Sequence, residues 1–274
     1  MRIPSRQHGF TLIELVMVIV ILGVIGGVVA VFMRGPIDAY FASARRAALT
    51  DVADTTVRRM ARDIRKALPN SIRTPSATCL EFIPTKTGGR YRADDSAAGL
   101  DFSATDSSFN MLGSNSTLPG STDSLPVDQR IATGDIIVVY NLGIAGADAY
   151  SQDNTSAVTA VAAETAAPIE TPITINPKRF PLASGSNRFH VVPANENIVS
   201  YVCSGTDLHR TATLGFTSSC PATGPILARN VSACTFAYGG SDLQRNALVR
   251  MVLQLTDAGE TVTLQHEVHV NNTP

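Results

Sequence analysis

Between Phe10 and Met33 the chain is apolar at nearly every position, and a single charge, Glu14, interrupts the run. As an α-helix these ~24 residues measure roughly 36 Å, enough to cross a hydrocarbon core of about 30 Å. From Ile37 the pattern changes. Ile37, Tyr40, Phe41, Ala44, Ala48, Val52, Met60, Ile64 and Leu68 recur at helical spacing, which predicts an amphipathic helix that Pro69 ends. Pro36, at the join, either kinks the helix or opens a second segment at its first turn.

Beyond Pro69 the period falls to two. Strands are predicted at Cys79 to Ile83, Asp135 to Tyr140, Arg188 to Val192, Ile198 to Cys203, Leu208 to Ala212, Cys234 to Tyr238, Ala247 to Leu255 and Thr261 to Val270. The last two, joined by "TDAGE", read as an antiparallel hairpin. Residues 93–127 and 143–172, rich in Ser, Thr, Ala, Gly and Asp, read as long surface loops carrying little core. The expected fold is α+β: a long N-terminal helix, membrane-spanning over 10–33 and amphipathic over 34–68, packed on one elaborated antiparallel β-sheet domain, 69–274.

A formal net charge of −1 removes any global electrostatic case for nucleic acid. Locally, Arg45, Arg46, Arg58, Arg59, Arg62, Arg65 and Lys66 line the polar face of the second helical segment, with Asp51, Asp54 and Asp63 interspersed. No aromatic residue interleaves the arginines, against single-strand recognition. The face reads as solvated, or as a contact for acidic patches of neighbouring subunits or anionic headgroups. No nucleophile elbow, phosphate loop or dinucleotide fingerprint occurs. "HEVH", His266 to His269, has the wrong spacing for a zinc helix, and on a strand its histidines point to opposite faces. No catalytic residue, metal or cofactor is expected, and the chain reads as non-enzymatic.

Cys79, Cys203, Cys220 and Cys234 all lie beyond the apolar run. Their wide spacing excludes a redox or zinc pair and points to two disulfides in an oxidising compartment. Of the three pairings, Cys203 with Cys220, closing a hairpin region locally, and Cys79 with Cys234 is the favoured one. The leader "MRIPSRQHG" carries Arg2 and Arg6 and no acid, so the positive-inside rule keeps it cytoplasmic and exports the bulk of the chain. Glu14 inside a membrane helix is costly and is retained for a partner or a function.

"GFTLIELVMVIVILGVIG" resembles the class III signal of the type IV pilins and of the pseudopilins of type II secretion. That resemblance implies cleavage between Gly9 and Phe10 by a prepilin peptidase, with 1–9 as the removed leader. It implies N-methylation of Phe10, and pairing of Glu14 with the α-amino group of a neighbouring subunit's Phe10 to set assembly register. "RRMARDIRKALPNSIR", "GDIIVVYN", the "VSYVC" and "VSACTFAY" segments and the terminal "VHVNNTP" look most like the large minor subunit of the mannose-sensitive haemagglutinin (MSHA) pilus system.

The implied role is a minor pilin at or priming the fibre tip. Its partners would be other major and minor pilins and the inner-membrane assembly platform. It would sit as a single-pass protein in the bacterial inner membrane with its C-terminal domain in the periplasm, in low copy in the surface pilus. A minor, J-like pseudopilin of type II secretion, and a membrane-anchored adhesin or ligand-binding protein, are the alternatives.

Overall fold

The computed structural model describes residues 9–92, 98–217, 220–239 and 246–274. Arg2 and Arg6 of the leader lie outside the described residues. One helix, α1 (Leu12–Ile64), runs 53 residues with Pro36 inside it. Proline therefore neither breaks α1 nor starts a second helix, although its missing N–H removes one rung of the ladder. The chain forms two compact units, Met1–Ala48 and Leu49–Pro274.

The described residues of the first unit are helical from Leu12 onward, with their large apolar side chains exposed. Within the second, α1 buries Leu49, Ala53, Thr56, Val57, Met60, Ala61 and Ile64, one face of an amphipathic helix. Of the predicted stripe only Met60 and Ile64 belong to it, while Ala48 and Val52 are exposed because the buried face runs one residue further along, through Leu49 and Ala53. The helix stops at Ile64, four residues short of the predicted end at Leu68. There Ala67 bridges Pro84, and the Leu68 N–H donates to the Ile83 carbonyl at 2.7 Å. Leu68 is buried as its apolar character demands, but by pairing with an extended segment.

The strands, in chain order, are β1 (Arg73–Ser76), β2 (Cys79–Phe82), β3 (Thr87–Arg90), β4 (Asp106–Leu112), β5 (Ile136–Val139), β6 (Thr155–Val161) and β7 (Glu170–Lys178). They continue as β8 (Arg188–Val192), β9 (Ile198–Ser204), β10 (Asp207–Thr213), β11 (Ile226–Ala228), β12 (Val231–Gly239), β13 (Asn246–Asp257) and β14 (Glu260–Asn271). Three antiparallel sheets result, ordered β1-β2-β9-β10-β11, β12-β13-β14 and β3-β8-β5-β6-β7-β4. The fold is α+β, with the helix packed on antiparallel sheets.

Register explains the main core. Leu80 lies opposite Tyr201 and Phe82 opposite Val199, so one face of β2 and β9 is apolar. That face packs with α1 and with Val249, Met251, Leu253, Leu255, Val268 and Val270 of the second sheet. The 246–271 hairpin turns at Ala258 and Gly259, both with positive φ, the geometry of a type I′ turn.

β2 and β9 are hydrogen-bonded neighbours, so residues 83–197 form an insertion between adjacent strands. The insertion has its own core, including Tyr91, Phe109, Met111, Ile137, Ile173, Phe180 and Phe189. Its sheet curls until its edges meet: Tyr91 bridges Met111 and the Arg92 N–H donates to Asn110 O at 2.9 Å. Glycine is needed at that seam, since a Cβ on Gly89 would lie 2.8 Å from Met111 Sδ and 2.9 Å from Phe189 Cζ.

The two stretches expected to be surface loops therefore include core strands, β4 in the first and β6 with the start of β7 in the second. Their inward residues are few: Phe109 and Met111 follow a run of Asp and Ser, and Val158 stands among Ser, Thr and Ala. A small curled sheet needs only a few large side chains to fill its interior, so mean polarity misleads here.

The disulfides are Cys79–Cys220 and Cys203–Cys234, which corrects the pairing favoured from spacing. Cys79 is opposite Val202, so Cys79 and Cys203 project from opposite faces of one sheet. Cys203 faces the helix side, where it meets Cys234 of β12 in the main core. Cys79 faces the other way and meets Cys220, in the segment after β10.

Candidate assembly and processing site

Gly9 and Phe10 precede the helix and are both exposed, Phe10 at 84%. Thr11 occupies the cap position: the Glu14 N–H donates to the Thr11 carbonyl at 3.1 Å and to Thr11 Oγ1 at 3.3 Å. This is the side-chain capping bond of a Thr-x-x-Glu box, which satisfies an otherwise orphaned amide. The Thr-x-x-Glu spacing of Thr11 and Glu14 is visible in the sequence, and it adds Thr11 to the residues predicted for this end of the helix.

Glu14 sits in the first helical turn. A carboxylate there opposes the positive end of the helix dipole, and cleavage at Gly9 would add the positive amine of Phe10 close to that end. The large apolar side chains of the first unit, from Phe10 to Phe41, are between 46% and 84% exposed. This is the only helix among the described residues long and apolar enough to cross a membrane. Such a surface demands lipid or other helices around it.

A family model of the prokaryotic N-terminal methylation motif matches residues 4–30. This chain carries the prepilin methylation motif. The match covers Gly9, Phe10, Glu14 and most of the exposed apolar run, and supports a type IV pilin-like, membrane-anchored protein processed by prepilin peptidase. Comparisons with curated proteins and with solved structures return no match.

Further along α1 the charged face is not uniformly solvated. Asp54 and Arg58 pair at 2.7 Å one turn apart, an ordinary exposed contact. Asp63 does more: its Oδ2 accepts from Tyr201 Oη at 2.7 Å and from Arg210 Nε at 2.8 Å. Arg210 also reaches Glu196 at 2.8 Å. Burial, together with the Asp63 carboxylate, drives the Tyr201 phenol far above its usual range. Two paired carboxylates outweigh desolvation and keep Arg210 more strongly protonated than usual. The network ties the end of α1 to β9 and β10, and nothing in local spacing could reveal it.

Cys79, Glu81 and Cys220 bring donor atoms within 4.8 Å of one another. Both sulfurs are joined in the disulfide, and such a sulfur is no thiolate ligand; the trio is a staple. His266 and His269 lie on β14, three residues apart and on opposite faces.

Proposed function

We propose that the chain is a non-catalytic assembly subunit, a minor pilin of an MSHA-like type IV pilus, cut after Gly9 and methylated on Phe10. The observation that carries this reading is the combination of the methylation motif with an uncovered apolar helix bearing one carboxylate in its first turn. In a bundle of such helices, Glu14 of one subunit would pair with the Phe10 amine of the next. In a low dielectric that pair is strong only at one axial offset. Its fibre partners would be other pilins, driven by the inner-membrane platform, with the second unit in the periplasm.

Mass spectrometry of the N-terminal peptide tests this, in sheared surface fibres and in membranes. A methylated peptide starting at Phe10, scarce in fibres and present in membranes, is the expected result. The same peptide confined to membranes would move the assignment to a J-like pseudopilin, which shares all of this chemistry. A peptide starting at Met1 would overturn both.

A membrane-anchored binding protein is a second reading, favoured by the cleft at the seam of the inserted sheet. Gly88, Gly89, Met111, Gly113, Ser114 and Thr117 are among its lining residues. Glycan-array binding by the full chain would promote that reading, and binding confined to pilins would remove it.

A further inference from the structure

The 12-residue strand β14 pairs with β13 through twelve uninterrupted partners, and among the described residues no strand is bonded to its other edge. The type I′ turn makes Asp257 and Glu260 the hydrogen-bonded pair that closes the hairpin. Alternation then directs the N–H and C=O groups of Thr261, Thr263, Gln265, Glu267, His269 and Asn271 to the open side. Natural sheets guard such edges with proline, lysine, a bulge or a cover. β14 has no proline, no lysine and no bulge; of its charged residues, Glu260 sits at the turn and Glu267 is paired with Arg250 of β13 at 2.9 Å.

Along this edge lies a row of positive charge. Arg58, Arg62 and Arg65 follow one another at helical spacing, and with His266 of β14 they line a groove of about 500 Å³. Asp54 beside Arg58 is the one acidic residue lining it. From Ala67 to the end of the chain, acidic residues outnumber basic ones by 18 to 12, so the row stands out against its own β region.

We propose that the β14 edge and this arginine row together receive an extended, acidic segment of a different subunit, which adds to the sheet as a strand. Backbone groups of the guest would pair with the open side of β14 while its carboxylates meet Arg62 and Arg65. A second copy is disfavoured as the guest. Two β14 edges paired about a two-fold axis perpendicular to the sheet place both helices on one side, so the two arginine rows would face each other across the seam. The proposal deepens the assembly role above and rests on it only for the identity of the guest as a sibling subunit.

The test uses the full chain in detergent and a synthetic peptide of alternating Thr and Glu, read by fluorescence anisotropy. Comparators are the same peptide with Lys in place of Glu and one N-methylated at alternate amides. The acidic peptide should bind, and both comparators should bind at least about tenfold more weakly. Arg62→Gln with Arg65→Gln should weaken it about tenfold. Gln265→Pro should abolish binding with the fold intact, because that N–H faces outward and proline is tolerated at such edge positions. Should Gln265→Pro unfold, the N-methylated peptide still separates strand addition from charge alone.

Equal binding of acidic and basic peptides would overturn the proposal. So would full binding by the N-methylated peptide, or concentration-dependent pairing of the chain with itself that Gln265→Pro removes. None of these outcomes touches the N-terminal processing measurement, so failure here and failure of the assembly assignment remain distinct.

Discussion

Replacing Asp63 with Ala removes the acceptor shared by Tyr201 and Arg210. Hydrogen bonds to a charged group contribute about 1.5–3 kcal/mol each. The Arg210 and Asp63 side chains retain 21% and 25% exposure, so solvent screens part of that, and Glu196 still holds Arg210. We therefore expect Asp63→Ala to cost about 2–3 kcal/mol. Asp63→Asn, which keeps one acceptor, should cost about half as much. For a unit of this size the alanine variant should melt roughly 5–10 °C lower.

The chain has no tryptophan, so urea unfolding of the detergent-solubilised protein is best followed by tyrosine fluorescence and circular dichroism. A double-mutant cycle with Arg210→Met isolates the pair, and a coupling of about 1–2 kcal/mol is expected. A cost below about 0.5 kcal/mol for Asp63→Ala, or strict additivity in the cycle, would refute the view that this network anchors the helix end.

Non-reducing peptide mapping should recover Cys79 linked to Cys220 and Cys203 linked to Cys234; a Cys203–Cys220 peptide would contradict the opposite-face argument. Replacing Cys203 and Cys234 together with alanine opens a loop of 31 residues and should cost about 3–4 kcal/mol in an unfolding titration. His190 is half-buried with its Nε2 enclosed, and its pKa is pushed down to about 4 by desolvation and by Arg188. The unfolded chain, with an ordinary histidine near 6.5, binds that proton first. Stability should thus hold above about pH 6.5 and fall toward pH 5 by up to about 1.4 kcal/mol per unit. His190→Leu should flatten that window, and an unchanged slope would exclude His190 as its source. Glu14→Val should leave cleavage intact and lower incorporation into fibres at least about tenfold; loss of cleavage as well would assign Glu14 to peptidase recognition. Gly9→Leu should block maturation, read as retention of Met1 in the N-terminal peptide.

The first helix and the terminal hairpin were legible because their signals are local. An apolar run with one carboxylate at Glu14, and an apolar strand before "TDAGE" with an alternating one after it, each fix their element within a few residues. The helix end was not, because Leu68 satisfies a helical stripe and a strand partner equally well, and only Ile83 decides between them. The inserted sheet was hidden for another reason. Its closure depends on Tyr91 meeting Met111 and on the absent Cβ of Gly89, neither of which alters local hydropathy. Cysteine spacing misled because pairing follows the face each side chain takes, and the face follows a register between β2 and β9 that lies more than a hundred residues apart in the chain.

In the first turn of α1 the backbone and the side chain of Glu14 have different fates. Thr11 caps the Glu14 amide from within the chain, while among the described residues no group bonds the Glu14 carboxylate. The reciprocal half of the capping box, a bond from Glu14 back to the Thr11 amide, is thus left open, and the carboxylate remains available to another chain. Cleavage would place a positive amine at a helix end that is already positive, so each subunit would carry one unsatisfied cation at Phe10 and one unsatisfied anion at Glu14, about one helical turn apart. Between two subunits offset along the fibre axis, the anion of one can meet the cation of the next, and that match recurs with every subunit added. Assembly would then be driven by apolar helix packing and placed in register by charge, which would account for a lone acid in the otherwise uncharged run from Phe10 to Met33.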